Sequence, residues 1–332
     1  MAKTKQSTRQ YWLGFDLGGT KMFAVVFDGQ FQVLGKRRCK TKGNEGVEAG
    51  VGRMIATIDE ALAEAKVTRE ELAGIGVGCP GPLDLDRGIL LDSPNLGWHN
   101  VPLKRQLQAV FGCPCFILND VDSGIYGEYR FGAARKAHCA VGVFPGTGIG
   151  GGCVYEGRVL RGRTGSAFEV GHMLAVPDGP PCGCGRSGCL ETVASRLAIA
   201  AAAAAAAYRG DAPNLLAEAG TDVANIRSGS LARAIAAGDT VVEQIVRRAA
   251  SQIGRVVGDV VNLVAPDIVV LGGGLVEAIP KLFVEEVAKA ARDRAMPVYR
   301  KTFAVRAAEL GDDAAVLGAA AWAEHQSGAD KR

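Results

Sequence analysis

Three cysteines fall within eight positions of the stretch PPCGCGRSGCLE, residues 180–191, and a histidine stands ten residues before the first of them. Cys182, Cys184, Cys189 and His172 form a Cys₃His set, the ligand complement of a tetrahedral zinc ion with no position left for a reactive water, so the expected zinc is structural. The glycines between them let the chain bend until the sulfurs converge. Two other chemistries compete. A nucleophilic cysteine needs an activating base, and no second histidine stands nearby. A disulfide needs an oxidising compartment. The leader MAKTKQSTRQ lacks the apolar core of an export signal, so a cytoplasmic location with reduced thiols is expected, and the leader itself reads as a frayed tail.

A second chemistry-bearing group is glycine-rich. Asp16-Leu17-Gly18-Gly19-Thr20-Lys21 places a carboxylate, a hydroxyl and an ammonium on one turn, and Gly146-Thr147-Gly148 opens another. Glycine lets backbone N–H groups approach a phosphate, and a carboxylate such as Asp16 can hold Mg²⁺ directly or through water. Either turn alone also reads as a plain tight hairpin. A third run, Gly272-Gly273-Gly274, ends the apolar stretch DIVVL, where a flat ligand such as adenine could lie against backbone or a helix could simply start.

The elements that position these groups come in duplicate. LGFDLGGTKMFAVVFDGQFQVLG from Leu13 and VGVFPGTGIGGGCVYEGRVLRG from Val141 share apolar runs, a Gly-Thr turn, and an acidic-Gly turn, Asp28-Gly29 in one and Glu156-Gly157 in the other. Each half is expected to open with an antiparallel meander. Helical patterns follow at Gly46–Ala65 in the first half and at Thr192–Tyr208 and Gly238–Val264 in the second. The result is a pair of β-then-α lobes, consistent with about two domains in 332 residues. The chain is expected to cross between lobes near Leu118–Asp120 and to return with a last helix at about Asp313–His325. That gives a small lobe of residues 1–118 plus 313–332 and a large lobe of residues 119–312 carrying the cysteine loop. GTGIGG also satisfies a dinucleotide fingerprint, but strand-like CVYEGRVLRG follows it where a helix is required, so a dehydrogenase is set aside.

Bulk composition excludes other classes. Hydrophobic content is 48 %, charged content 22 % and net charge +3, so nucleic acid and membrane surfaces are not expected partners. The apolar run near residue 200 is almost all alanine and reads as a tightly packing helix, too short and weakly hydrophobic for a membrane span. Cys39, Cys79, Cys113, Cys115, Cys139 and Cys153 lie mostly in apolar runs and suit burial. His99, His138, His325, the Lys36-Arg37-Arg38 run and Arg161/Arg163 read as surface or packing residues.

DLGGTK, GTGIGGG and PDIVVLGGG, in this order and at these separations, resemble the phosphate and adenosine segments of the sugar-kinase, heat-shock-protein-70 and actin superfamily. GH and CGCGRSGCLE, with nine residues between them, are similar to the signature of the ROK family of bacterial sugar kinases and related repressors. The resemblance runs from about Trp12 to Trp322. It implies an α/β, two-lobed actin-like (ribonuclease H-like) ATPase fold, each lobe a mixed sheet flanked by helices, with a zinc-binding loop. It implies ATP-dependent phosphorylation of a hexose, with glucose to glucose 6-phosphate the expected reaction. ATP would contact Gly18, Gly19, Thr20, Lys21, Gly146, Thr147, Gly148, Gly272, Gly273 and Gly274, with Asp16 assisting Mg²⁺. Asn119 and Asp120 read by themselves as helix caps, but the resemblance makes Asp120 the general base.

By the same resemblance, Asn95, Asn119, Asp120, Glu169, His172 and Glu191 are sugar-contacting positions. Gly81 would lend backbone to the sugar, and Trp98 is an added candidate that reads equally as a hydrophobic anchor. Zinc would fix Glu169 and Glu191 from either flank, and His172 could ligate with one ring nitrogen while offering the other to a hydroxyl. Closure of the lobes over the sugar would exclude water. Rival readings are a kinase for fructose, mannose, allose, N-acetylmannosamine or N-acetylglucosamine, a polyphosphate-dependent enzyme, a repressor (which needs a helix-turn-helix domain for which the ten-residue leader leaves no room), and a non-catalytic sugar sensor. Pro145 directly before the second turn departs from the smaller residue expected there. A homodimer is expected by analogy.

Overall fold

Apolar alternation from Tyr11 onward builds a sheet whose middle is fully buried: Leu13, Phe15 and Leu17 are sealed from solvent. The computed structural model describes residues 10–163 and 165–329, so all of the basic leader but Gln10 lies outside the described residues. The first strands are β1 (Tyr11–Leu17), β2 (Lys21–Phe27) and β3 (Val33–Lys40), an antiparallel meander as expected. Helix α1 (Val47–Ala65) leads to β4 (Leu72–Cys79). A small antiparallel sheet follows, β5 (Leu83–Asp84), β6 (Ile89–Ser93) and β7 (Trp98–Val101), then α2 (Leu103–Phe111), β8 (Cys115–Asn119) and α3 (Asp120–Phe131). The main sheet has the order β3-β2-β1-β4-β8, with β1, β4 and β8 parallel.

The same plan recurs. Strands β9 (Cys139–Pro145), β10 (Ile149–Tyr155) and β11 (Arg158–Val159) form the second meander. Helices α4 (Leu190–Ala194), α5 (Arg196–Tyr208), α6 (Pro213–Ala219), α7 (Ser228–Ala236) and α8 (Thr240–Val264) precede β12 (Ile268–Leu271). Helices α9 (Gly274–Ala278) and α10 (Pro280–Arg294), strand β13 (Ala304–Ala307) and helix α11 (Ala314–Ala329) complete the chain. The second sheet has the order β11-β10-β9-β12-β13, with β9, β12 and β13 parallel: the first sheet's arrangement, repeated.

The chain divides into two compact units. The first runs through Gly132, takes in Val159–Ala167 and resumes at Asp312; the second is Ala133–Arg158 and Phe168–Gly311. The division falls after α3, whereas the sequence suggested a crossing before it. Glycine is the reason. A Cβ on Gly127 of α3 would lie 2.2 Å from Ala314 O, and one on Gly318 of α11 would lie 1.8 Å from Ser123 O, so the two helix backbones touch. Helix α11 also lies directly on the first sheet, where a Cβ on Gly14 or Gly76 would strike the backbone oxygens of Val316 or Ala319. In the second unit Gly254 and Gly258 bring α8 onto α10 in the same manner.

Two local expectations change. Glu156 and Gly157, with φ 48° and 78°, make the two-residue turn expected of a hairpin. Asp28-Gly29 opens a longer loop instead, in which Asp28 Oδ1 accepts from the N–H groups of Gln30 and Gln32 and Phe31 takes the left-handed φ of 61°. The helix expected from Thr192 is broken at Ser195, which caps α5 by accepting from Ala198 N at 3.2 Å. By length and composition alone the stretch Leu190–Tyr208, 19 residues with mean hydropathy 1.4, is apolar enough to cross a membrane, but it is broken at Ser195 and half of it is buried in the second unit.

Candidate active site

Parallel strands carry their C-terminal ends to one edge of a sheet, and ligands of α/β sheets gather there. In the first unit, register places Asp16 beside Gly78 and Cys79 beside Asn119 at that edge. Gly78 makes room for α3: a Cβ there would lie 3.0 Å from Ser123 Oγ, with Asp120 Cα at 3.7 Å. Asp16 and Asp120 therefore sense each other's charge. Burial, and then Asp120, push the Asp16 carboxyl from its usual 3.8 up to about 7, against the opposing pull of Lys21 and Arg38. Asn119 does cap α3, accepting from Val121 N at 2.9 Å, which leaves its amide N–H groups to donate elsewhere. Asp120 occupies the first turn of that helix, and its Oδ1 accepts from the same Val121 N.

The first glycine turn closes through Gly18 N donating to Lys21 O at 3.0 Å, and Thr41 Oγ1 donates to Gly18 O. Gly19 and Thr20 are exposed at its tip. Asn95 stands against it, its Cβ 3.5 Å from where a Gly19 Cβ would sit. Lys21 is less free than its position suggested: its ammonium pairs with Asp312 at 3.1 Å, and Arg38 reaches the same carboxylate at 2.9 Å. Arg38 and Asp312 are neighbours that sequence reasoning missed, because nothing local links residues 274 positions apart. Gly81, with φ 89°, lets backbone pass where a Cβ would lie 1.9 Å from Asp92 O. Trp98 is an anchor and not a sugar platform: it is fully buried, seated where Gly50 has no side chain.

The second unit builds its own cluster. After Pro145 the chain turns, Gly146 N donates to Gly148 O at 2.8 Å, and β10 follows at once, which rules out the dinucleotide arrangement. Pro145 fits as the last residue of β9, paired with Ile149. The Gly272–Gly274 run lies alongside: Gly272 N donates to Val143 O, and Gly273, with φ 87°, leaves only 3.0 Å between a Cβ and Pro145 O. Here glycine serves the backbone itself, since Gly273 caps α9 in a conformation other residues avoid.

One ligand atom from each of His172, Cys182, Cys184 and Cys189 lies within 4.8 Å of all the others. Cys184 and Cys189 sulfurs are 3.6 Å apart, and Cys182 Sγ is 3.5 Å from His172 Nδ1. These are edges a tetrahedron with zinc–sulfur bonds of about 2.3 Å would have, so the donor set fits zinc. Gly188, with φ 77°, allows the loop to pass Val176 O, and Arg186 O accepts from Cys182 N at 2.7 Å. The Arg186 backbone N–H and guanidinium hold the exposed Cys184 thiol down to about 6, favouring the thiolate a metal needs. The other six cysteines are buried or half-buried.

Two glutamates flank this cluster. Glu169 precedes the short 3₁₀ turn Val170–His172 and is held in a tight γ-type turn, with Val170 N donating to Phe168 O at 2.6 Å and Phe168 at φ 60°. Glu191, in the first turn of α4, accepts from Cys182 Sγ and presents Oε2 only 2.8 Å from where a Gly148 Cβ would be. It links the cysteine loop to the second glycine turn.

A doubled mixed sheet flanked by helices, a glycine turn in each unit and a Cys₃His loop define the class: the chain belongs to the ROK family, matching it over residues 12–326, and has the α/β, actin-like fold of that family's sugar kinases. It is similar to a glucokinase of Thermotoga maritima, 36 % identical over 93 % of this chain and 95 % of that one. A putative xylose repressor of a Caldicellulosiruptor species is 31 % identical over 93 % of this chain and 77 % of its own length. Among solved structures, a ROK glucokinase of Streptomyces griseus in complex with glucose and AMPPNP superposes with a TM-score of 0.81, at 32 % identity over 95 % of this chain and 99 % of that one.

Proposed function

We propose that this protein is an ATP-dependent hexose kinase that converts glucose to glucose 6-phosphate in the cytoplasm. The observation that carries the reading is the pairing of Asp16 and Asp120 on the carboxyl edge of the first sheet, beside the turn of Gly18 and Gly19 and with Asn95 against it. The sugar's 6-hydroxyl oxygen attacks the γ-phosphorus, its proton passes to the Asp120 carboxylate, and ADP leaves. Such a transfer has a loose transition state and is governed by positioning and charge neutralisation, so Asp120 must be well placed more than strongly basic.

Asp16 serves the Mg²⁺ that accompanies the nucleotide, directly or through water. Thr20 and Lys21 of the first unit and Gly146, Thr147 and Gly148 of the second bind phosphates; Gly272, Gly273 and Gly274 approach the adenosine. Asn95, Asn119, Glu169, His172 and Glu191 read sugar hydroxyls, with backbone at Gly81. His172, Cys182, Cys184 and Cys189 hold a zinc ion whose contribution is structural; the chain's own part is to keep His172 and Glu191 in place, which Arg186 assists by donating to His172 O at 2.7 Å.

The kinship with a xylose repressor supports a second reading, a sensor that binds sugar without phosphorylating it. A coupled ADP-release assay over a panel of hexoses and N-acetylated amino sugars separates the two. Turnover with glucose supports the kinase, preference for another hexose reassigns its substrate, and sugar binding without turnover of any panel member supports the sensor.

A further inference from the structure

Helix α5 begins at Arg196, and that residue fastens the helix to the second glycine turn twice. Its backbone N–H donates to Gly146 O at 2.9 Å, and its guanidinium Nη2 donates to Thr147 Oγ1 at 3.1 Å. Among the described residues no carboxylate pairs with this guanidinium, whereas the cation of the first turn, Lys21, is tied to Asp312. An exposed guanidinium beside a glycine turn, with a neutral hydroxyl as its partner, retains its charge for an anion. Thr147 also borders an open cavity of about 430 Å³, which it lines with Gly148, Glu191, Thr192 and the apolar Leu197 and Ala198.

The hydroxyl gives the contact a direction. Thr147 Oγ1 accepts from Arg196, so its own proton is free to be donated onward. A hydroxyl that accepts from a cation is a stronger donor, because successive hydrogen bonds polarise one another.

The geometry points to Arg196 as the positioning residue for the phosphate chain of the donor nucleotide: it holds Thr147 with its hydroxyl proton presented to a phosphoryl oxygen and adds its charge at that place. The inference rests on the kinase reading and assigns to Arg196 the cation beside the second turn.

The test is calorimetric. Binding of a non-hydrolysable ATP analogue with Mg²⁺, and of adenosine, is measured for the unsubstituted protein, Arg196→Ala, Arg196→Lys and Thr147→Val. Loss of a charge-assisted contact predicts about tenfold weaker analogue binding for Arg196→Ala, with adenosine unchanged. Lysine should restore part of the loss, and combining Arg196→Ala with Thr147→Val should cost less than the two losses together. Equal weakening for adenosine and analogue would show a merely structural role and overturn the assignment, as would unchanged analogue binding. Absence of nucleotide binding by the unsubstituted protein would instead overturn the kinase reading beneath it.

Discussion

Cys182 Sγ donates to Glu191 Oε1 at 3.2 Å, so a ligand of the candidate metal loop touches a residue assigned to the sugar. Zinc would take Cys182 as a thiolate and replace that bond, but Cys189 of the same ligand set stands two residues before Glu191, so a metal holding the loop would also fix the carboxylate's position. Removing a ligand should loosen both. Cys184→Ser is the suitable variant because Cys184 is exposed and its loss leaves no cavity in the core. Zinc content, measured by mass spectrometry of the metal, should fall together with sugar affinity, the KM for sugar rising about tenfold or more, as for other losses around a metal site. Zinc loss with an unchanged KM for sugar would contradict the coupling.

Asp16 gives a pH dependence of known sign. Its pKa is raised from 3.8 to about 7 by burial and by Asp120. The folded protein thus favours the protonated carboxyl. That share of stability is complete below about pH 4 and is lost as the pH climbs to about 7, where the buried carboxylate ionises. Asp16→Asn cannot ionise. Its stability relative to the unsubstituted protein should rise across that interval by on the order of a few kcal/mol and then level off. Urea unfolding at pH 5 and pH 8, without nucleotide or Mg²⁺, measures this; an equal difference at both values would contradict it.

Helix α11 can lie on the first sheet only because Gly76 has no side chain. An alanine Cβ would fall 1.8 Å from Ala319 O, and a backbone oxygen cannot swing aside as a side chain can. Gly76→Ala should destabilise by about 3 kcal/mol or more, at the upper end of overpacking costs. Thermal unfolding should show a drop of several degrees, about 2–4 °C per kcal/mol for a domain of this size. Gly52→Ala, where nothing lies within 4 Å of the added Cβ, is the control and should be neutral or stabilising.

The doubled architecture was legible because it is written locally. Gly19-Thr20 and Gly146-Thr147 each end a strand and begin another, and α1 and α8 carry long amphipathic patterns. The Cys₃His set was legible from residue type and spacing alone, and the structure gathers it. What escaped has no local signature. Strands β5 to β7 and helices α6 and α7 are too short for periodicity to accumulate. Trp98 looked like a ring for sugar because its partner, Gly50, is recognisable only in three dimensions. Arg38 and Asp312, which surround Asp16 with charge, meet only through the fold. Asn119 showed both a cap and a possible sugar contact in its sequence context; the structure realises the cap with one end of the amide.

The central claim is that Asp120 accepts a proton from a sugar hydroxyl during transfer from ATP. Its most direct test is the rate of ADP release with glucose for the unsubstituted protein and for Asp120→Asn. Turnover by the first, reduced about 10²- to 10⁴-fold in kcat by the second with the KM for glucose little changed, is the predicted result. Undiminished turnover by Asp120→Asn, or none by the unsubstituted protein with any hexose, would contradict it.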